Sequence, residues 1–172
     1  MKKIRVLIAL LFYTISVQAS AATSNLQISF GENSGWNGKT IPADQLCEKF
    51  GGKGSTPPLY VQNIPQGAYQ LRVLFNDETY APMSNGGHGI IRFSVPAGSQ
   101  SLTLHQLQGE IDLALSGVVV EQKHLATDWS GTGGAYLPPC SGGSGNTYSV
   151  KIQALDENNN ITSEGRIILG IY

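Results

Sequence analysis

Short runs that alternate between apolar and polar residues set the strongest limit on how this chain can fold. The clearest is TYSVKIQAL, residues 147–155, in which Tyr148, Val150, Ile152 and Ala154 are separated by polar neighbours. A period of two places the apolar side chains on one face of a strand, so this run predicts a half-buried β-strand. The fold must therefore provide a core on one side of such strands.

Six further runs have the same character, and Gly, Pro, Ser, Thr and Asn separate them. They predict strands over residues 26–30, 69–76, 89–95, 101–105, 117–122 and 166–172. About seven short strands in about 150 residues predict a β-sandwich or a barrel-like fold. Helix signals are few: residues 42–50 predict one or two turns that begin near Pro42, and residues 104–115 favour neither helix nor strand.

The first 21 residues predict a secretory signal peptide. A basic stretch precedes a mostly apolar run that ends in Ala19, Ser20 and Ala21, small residues of the kind that signal peptidase requires. The apolar run is shorter than the ~20 residues that cross a bilayer. We therefore expect cleavage after Ala21, or alternatively after Ala19, with no transmembrane segment left afterwards and export to the periplasm or beyond it.

The charge of the chain disfavours two kinds of partner. The formal net charge is −1, and the leader holds several of the basic residues. Residues 22–172, which we expect to form a single domain, are therefore mildly acidic. A chain of this kind without a basic run is a poor candidate for binding nucleic acid or anionic membrane surfaces.

The two cysteines, Cys47 and Cys140, both lie in the expected mature part. An even count in an exported protein favours a disulfide, and two cysteines allow one pairing. The bridge would close a loop of ~90 residues, which is worth ~4 kcal/mol in the chain-entropy account. Cysteines this far apart lack the local pairs of a zinc site, so we expect no metal and no cofactor.

Asp77 and His88 are the first candidates for a polar site. Asp77 follows an alternating strand, and His88 lies between glycines just before the next strand. An acid and an imidazole at such strand ends can meet at the mouth of a pocket, although Asp77 can equally form a turn with its own backbone. We expect His105 and His124, which lie beside apolar runs, to be surface or hydrogen-bonded histidines.

The sequence shows no catalytic constellation, and we expect a protein that is not an enzyme. It has no Gly-x-Ser-x-Gly elbow and no histidine pair at metal-ligand spacing. The glycine-rich TDWSGTGG, residues 127–134, could form an anion-binding nest, but its spacing fits no phosphate-loop motif.

Four stretches of the chain share a layout with a known family. In order they are NGKTIPADQLCEKFGGKGSTPPLYVQNIPQGAYQLRVLFND, GGHGIIRFSVPAG, TDWSGTGG and YLPPCSGGSGNTYSVKIQALD. Over roughly residues 37–156, they resemble the phosphatidylethanolamine-binding protein family in its bacterial Raf-kinase-inhibitor-like branch. The resemblance implies a Greek-key β-sandwich with few short helices. It also implies a small surface pocket for phosphate-like anions such as phospholipid headgroups.

The resemblance also assigns pocket residues by position. Asp77 matches the family's pocket Asp, and His88 matches its first pocket His. Pro138, Pro139 and Tyr148 match the Pro-Pro turn and the Tyr of the late strand. The unusual stretch before that strand therefore resembles the wall of a pocket.

The chain departs from the family at several points in this pocket. Asn146 stands in place of a second pocket His, Gly89 rather than Trp follows His88, and in DETYAP the second Asp of the family's Asp-Pro-Asp-x-Pro is lost or shifted. A neutral amide binds phosphate more weakly than a charged imidazolium does, and it suits neutral polar groups as well. A bridge between Cys47 and Cys140 would tie this pocket loop to the N-terminal lobe.

Two functions follow from these patterns. One is an exported, non-enzymatic ligand-binding protein with a pocket around Asp77 and His88 for phosphate-like or polar headgroup ligands. The alternative is a secreted protein-interaction or inhibitor protein with a vestigial pocket, filled by Tyr80, Met83 or Tyr136. A hydrolase, which we disfavour, would need a serine hydroxyl within ~3 Å of His88.

Overall fold

Eight β-strands form the fold of the computed structural model, which describes residues 25–126 and 133–172. They are β1 (Gln27–Phe30), β2 (Leu59–Gln62), β3 (Gln70–Asp77), β4 (Ile90–Ser94), β5 (Ser101–Leu104), β6 (Val118–Gln122), β7 (Thr147–Leu155) and β8 (Ile161–Ile171). The helical elements of these residues are three 3-10 turns, Ala43–Gln45, Glu48–Phe50 and Ala81–Met83. None of the helices in the described part is long and apolar enough to cross a membrane. The predicted signal peptide and most of TDWSGTGG lie outside the described residues.

The strands form two antiparallel sheets, one in the order β1-β2-β5 and one in the order β6-β4-β3-β7-β8. In the larger sheet β3, β4 and β6 are successive neighbours, and β7 returns by a long connection to lie beside β3. This order of four strands is a Greek key. It confirms the predicted all-β sandwich of Greek-key type.

The core lies between the inner faces of the two sheets. Leu59 and Val61 of β2 contribute from the smaller sheet, and Val73, Ile91 and Ile152 contribute from the larger one. All five side chains are at most 1% exposed. Burying an aliphatic side chain of this size stabilises the fold by roughly 1.5–3 kcal/mol. The period-2 pattern therefore determines which face of each strand packs inward.

Two strands differ from the sequence prediction. The strand β2 was not predicted, because it directly follows Pro57 and Pro58. It nevertheless forms the centre of its sheet, between β1 and β5. The strand β8 begins at Ile161 rather than at residue 166, because Asp156 accepts the backbone N–H groups of Asn158 and Asn160 and closes a tight turn there.

Cys47 and Cys140 form a disulfide, as predicted, across a sequence separation of 93 and a Cα–Cα distance of 5.3 Å. The two half-cystines are 0% and 3% exposed. They form a second, small apolar cluster together with Met83, Ala126 and Leu137. The disulfide thus ties the segment of 3-10 turns after β1 to the chain that leads into β7.

We expect loss of this bridge to lower the free energy of unfolding by roughly 4 kcal/mol, since the unfolded chain regains the entropy of a long loop. Urea unfolding of the oxidised protein and of the double variant Cys47→Ala/Cys140→Ala measures the difference. Reduced wild-type protein is the control, because it loses the bridge but keeps both side chains. A difference below about 1 kcal/mol in both comparisons would contradict this role for the bridge.

Candidate functional site

Strand pairing brings the predicted site residues together at one end of the larger sheet. Asp77, the last residue of β3, is paired with Tyr148 of β7. After β3 the chain forms a loop whose far end, at His88 and Gly89, hydrogen-bonds to β3 again. His88 donates its backbone N–H to the Phe75 carbonyl at 3.1 Å, and Phe75 donates its own to the Gly89 carbonyl at 3.0 Å. These bonds close the loop and place His88 beside the end of β3.

The Asp77 carboxylate connects this loop to the start of β7. Its Oδ1 accepts the backbone N–H groups of Thr79 and Tyr80, each at 2.9 Å, and its Oδ2 accepts the Asn146 side-chain amide at 2.6 Å. The side chain is only 3% exposed. Asp77 therefore forms a turn with its own backbone and also contributes to a pocket, two roles that the sequence had left as alternatives.

His88 is held by both its backbone and its ring. The ring Nδ1 lies 2.8 Å from the Leu137 carbonyl, and the ring meets Tyr148 edge-on at 5.3 Å between centroids. Since a carbonyl only accepts hydrogen bonds, Nδ1 carries the proton. Gly89 makes this packing possible: it has φ of +122°, and a Cβ there would lie 2.2 Å from the Ala135 carbonyl oxygen. The glycine after His88 thus allows residues 135–137 to approach closely.

Burial lowers the pKa of His88 from 6.5 to about 4. The hydrogen bond to the Leu137 carbonyl and the charge of Asp77 raise the pKa, but they do not offset the loss of solvation. The ring is therefore neutral at neutral pH, with a proton on Nδ1 and a lone pair on Nε2. Nε2 has no hydrogen-bond partner among the described residues, and His88 lines a cavity.

This cavity has a volume of about 310 Å³, within the range of small-molecule sites. It is lined by Lys49, Phe50, Asp77, Tyr80, Met83, His88, Cys140, Ser141, Ser144, Asn146 and Tyr148. We call Asp77, His88, Asn146 and Tyr148 the floor, since three of them are buried and Asn146 is half-buried. The rim consists of residues that are exposed to solvent, namely Lys49, Phe50, Tyr80 and Ser144.

The two prolines of the predicted wall lie behind the cavity rather than in it. Pro138 is fully buried, and the Pro139 carbonyl accepts the backbone N–H of Cys47 at 3.1 Å. The wall that faces the cavity is formed by Cys140 and Ser141, the residues that follow. Of the predicted ligand-binding residues, Asp77, His88, Asn146 and Tyr148 thus meet in one cavity and the prolines support it; that they bind a ligand remains a prediction.

Sequence reasoning missed the contribution of the 3-10 turn Glu48–Phe50 and of two serines. Lys49 and Phe50 reach the cavity because the disulfide carries their turn there, and Phe50 packs edge-on against Tyr172 at 6.2 Å. Ser141 donates its hydroxyl to the Tyr172 carbonyl, and Ser144 donates to the Ser141 carbonyl. The one sequence signal that this turn would reach the cavity was its position directly after Cys47.

The structure distinguishes between the sequence-based alternatives for the cleft. Tyr136 is 1% exposed and belongs to the main core, whereas Tyr80 and Met83 line the cavity without filling it. Among the described residues no serine hydroxyl hydrogen-bonds the His88 ring, and no group of three His, Cys, Asp or Glu side chains is arranged to hold a metal ion. The vestigial, filled cleft is therefore not observed.

The other two histidines behave differently from each other. His105 is exposed, as expected. His124 is 7% exposed, and neither ring nitrogen has a hydrogen-bond partner among the described residues. His124 is therefore not a surface residue, because β6 leads the chain back under the loop that ends at His88, where Leu125 donates to the Gly87 carbonyl.

Comparison with known proteins identifies the fold. No sequence-family model and no curated protein matches the chain. A phosphatidylethanolamine-binding protein homologue of Chlamydia trachomatis superimposes with a TM-score of 0.55 at 20% identity, over 86% of this chain and 97% of that one. YbcL of E. coli, described as a member of the mammalian PEBP family, gives 0.52 at 18% identity, over 87% and 98%. The chain therefore has the fold of phosphatidylethanolamine-binding protein homologues, as the resemblance implied.

We expect His88 to make stability depend on pH. Its pKa is about 4 in the folded protein and about 6.5 when unfolded, so the unfolded chain takes up the proton first as the pH falls. The free energy of unfolding should therefore decrease between pH 6.5 and pH 4, by on the order of 3 kcal/mol.

Urea unfolding across this pH range, beside His88→Gln, measures the effect, since the variant should lack this component of the slope. Nitrogen NMR of the ring gives an independent reading, with Nδ1 protonated and Nε2 unprotonated at pH 7. A folded-state ring that titrates near pH 6.5 would contradict the assignment.

Proposed function

We propose that this chain is an exported, non-enzymatic ligand-binding protein whose cavity takes one small polar ligand of the headgroup kind, phosphate-like or otherwise polar. The observation that supports this most is the open cavity of about 310 Å³ with Asp77 and His88 on its floor. Natural small-molecule sites combine a concave surface with a few convergent polar groups in this way.

Preorganisation of the floor supports binding as its role. Asp77 accepts three hydrogen bonds and His88 is fixed by its bond to Leu137, so neither side chain needs to rearrange to meet a ligand. A buried group whose pKa is strongly shifted, in a cleft, is a general sign of a functional site. The two structural neighbours are described as phosphatidylethanolamine-binding protein homologues, and we extend ligand binding to this chain as part of the proposal.

The hydrogen bonds at the cavity favour binding over hydrolysis. A serine nucleophile needs its hydroxyl within reach of a base. The hydroxyls of Ser141 and Ser144 instead donate to backbone carbonyls, and the bonded nitrogen of His88 points to Leu137. The protein-interaction alternative, suggested by Asn146 in place of a second His, predicted a filled cleft, whereas the cavity is open.

Export is the second part of the proposal and is supported by the leader, residues 1–21, and by the disulfide, which forms readily in an oxidising compartment. We expect the protein in the periplasmic fraction or the medium of a bacterial host, shortened by the leader and oxidised. Cell fractionation with intact-mass measurement tests this. A chain that lacks residues 2–19 is the control and should remain in the cytoplasm; full-length protein found there for the intact chain would contradict export.

We expect phosphoethanolamine, which carries both a phosphate and an amine, to give saturable NMR shifts at Asp77, His88 and Asn146. Ser144→Trp should fill the cavity from its exposed rim and weaken binding at least about tenfold. The matched control is Asn158→Trp, in the turn at the far end of the β7–β8 hairpin, which should bind as wild type does. The absence of saturable shifts at tens of millimolar ligand would contradict the proposed function.

A further inference from the structure

The direction of each hydrogen bond on the cavity floor indicates which ligand chemistry fits. His88 donates its ring N–H to the Leu137 carbonyl, away from the cavity. Asn146 donates an amide N–H to Asp77 rather than to a ligand. The neutral His88 ring therefore has no N–H group left to donate to a ligand. The Asn146 amide has already used one of its two N–H groups.

The same floor keeps hydrogen-bond acceptors available. The Nε2 lone pair of His88 has no partner among the described residues. Asp77 accepts three bonds, and a carboxylate has about four acceptor positions. The amide oxygen of Asn146 also accepts no bond within the described part of the chain. Three acceptors on neighbouring side chains thus line the floor of one cavity.

The hydroxyl groups near the floor do not change this excess of hydrogen-bond acceptors over donors. Ser141 and Ser144 donate to carbonyl oxygens, so their lone pairs are left. The Tyr148 hydroxyl accepts the Cys140 backbone N–H at 3.1 Å. Its own O–H donates to the side-chain oxygen of Ser141, because Ser141 gives its proton to the Tyr172 carbonyl. Burial raises the pKa of Tyr148, so its hydroxyl stays neutral.

The charges of the cavity are separated between floor and rim. Asp77 is the charged group of the floor, where His88 is neutral at pH 7. Lys49 is the cation that lines the cavity, and it lies on the exposed rim with its Nζ 5.7 Å from the centroid of the Phe50 ring. Solvent screens a charge at the rim more than one on the floor. The floor therefore has an excess of negative charge.

We propose that the floor of the cavity binds a cation that carries N–H donors, a primary ammonium group, and not a phosphate. This inference rests on the proposed function, since it assumes that the cavity takes a ligand. The three N–H donors of an ammonium match the Asp77 carboxylate, His88 Nε2 and the Asn146 amide oxygen. A phosphate would place its own acceptors against these acceptors and leave buried polar groups unpaired.

Three probes at constant ionic strength and pH 7 separate charge from hydrogen bonding. They are ethylammonium, tetramethylammonium, which has the same charge without N–H groups, and inorganic phosphate. The sample is the oxidised protein produced from the full chain. Binding is measured from the amide NMR signals of Asp77, His88 and Asn146. We expect saturable shifts with ethylammonium, binding at least about tenfold weaker with tetramethylammonium, and no saturable shift with phosphate.

Two variants test the charges. In Asp77→Asn the side-chain oxygen still accepts the N–H groups of Thr79 and Tyr80, so the loop should keep its shape while ethylammonium affinity falls at least about tenfold. Lys49→Gln should raise ethylammonium affinity, because it removes a like charge from the rim, whereas a phosphate site would lose affinity. If Asp77→Asn fails to fold, the Lys49→Gln comparison still decides.

The outcomes distinguish this inference from the proposed function. Phosphate that saturates the floor resonances as tightly as ethylammonium would overturn the inference and leave the proposed function standing. Equal binding of ethylammonium and tetramethylammonium would overturn the requirement for N–H donors. If neither these probes nor phosphoethanolamine shifted the floor resonances, both the inference and the proposed function would fall.

Discussion

The Cys47–Cys140 disulfide holds a separate 3-10 turn against one end of the larger β-sheet, and the cavity lies between them. The floor is supplied by the sheet itself, because β3 and β7 are paired as far as Asp77 and Tyr148. The rim residues Lys49 and Phe50 belong to a 3-10 turn outside both sheets. That turn is fixed near the floor by the disulfide, by the hydrogen bond from Cys47 to the Pro139 carbonyl and by the bond from the Glu48 N–H to the Glu110 carboxylate. The bridge is the one covalent link between this rim and the floor, which strand pairing holds.

The electrostatics of the floor follow from burial. A carboxylate that is nearly excluded from water needs hydrogen-bond donors, and Asp77 takes them from the loop after β3 and from Asn146. Burial of the His88 imidazole favours its uncharged form instead. The ring is therefore neutral and donates its one N–H to the Leu137 carbonyl. One polar cluster therefore holds a fixed negative charge beside a neutral acceptor. Such a floor differs from a site in which a charged imidazolium donates to an anion.

The sequence predicted the parts of this arrangement that depend on local pattern. Period-2 alternation located most strands, because a strand that faces a core must alternate. It failed for β2, which directly follows Pro57 and Pro58, and for the start of β8, where the consecutive polar residues Thr162, Ser163 and Glu164 lie on both faces of the strand. The resemblance placed Asp77, His88, Asn146 and Tyr148 by position, and the structure brings them into one cavity.

The remaining features depend on tertiary contacts that no local pattern encodes. Packing decides on which side of the cavity wall Pro138 lies. Lys49 reaches the rim because the disulfide joins its turn to a residue far along the chain. The tautomer of His88 depends on a carbonyl 49 residues away. Residue type and order therefore predicted which residues meet, but not which hydrogen bonds they have left for a ligand.

Hydrogen–deuterium exchange before and after reduction of the disulfide tests most directly whether the bridge holds the cavity together. At labelling times of seconds to minutes, reduction should expose the amides of residues 47–52 and 140–144, while those of β3 and β7 stay protected because they belong to the sheet. Unchanged protection of residues 47–52 and 140–144 would contradict the account, since packing and hydrogen bonds would then hold the cavity without the bridge.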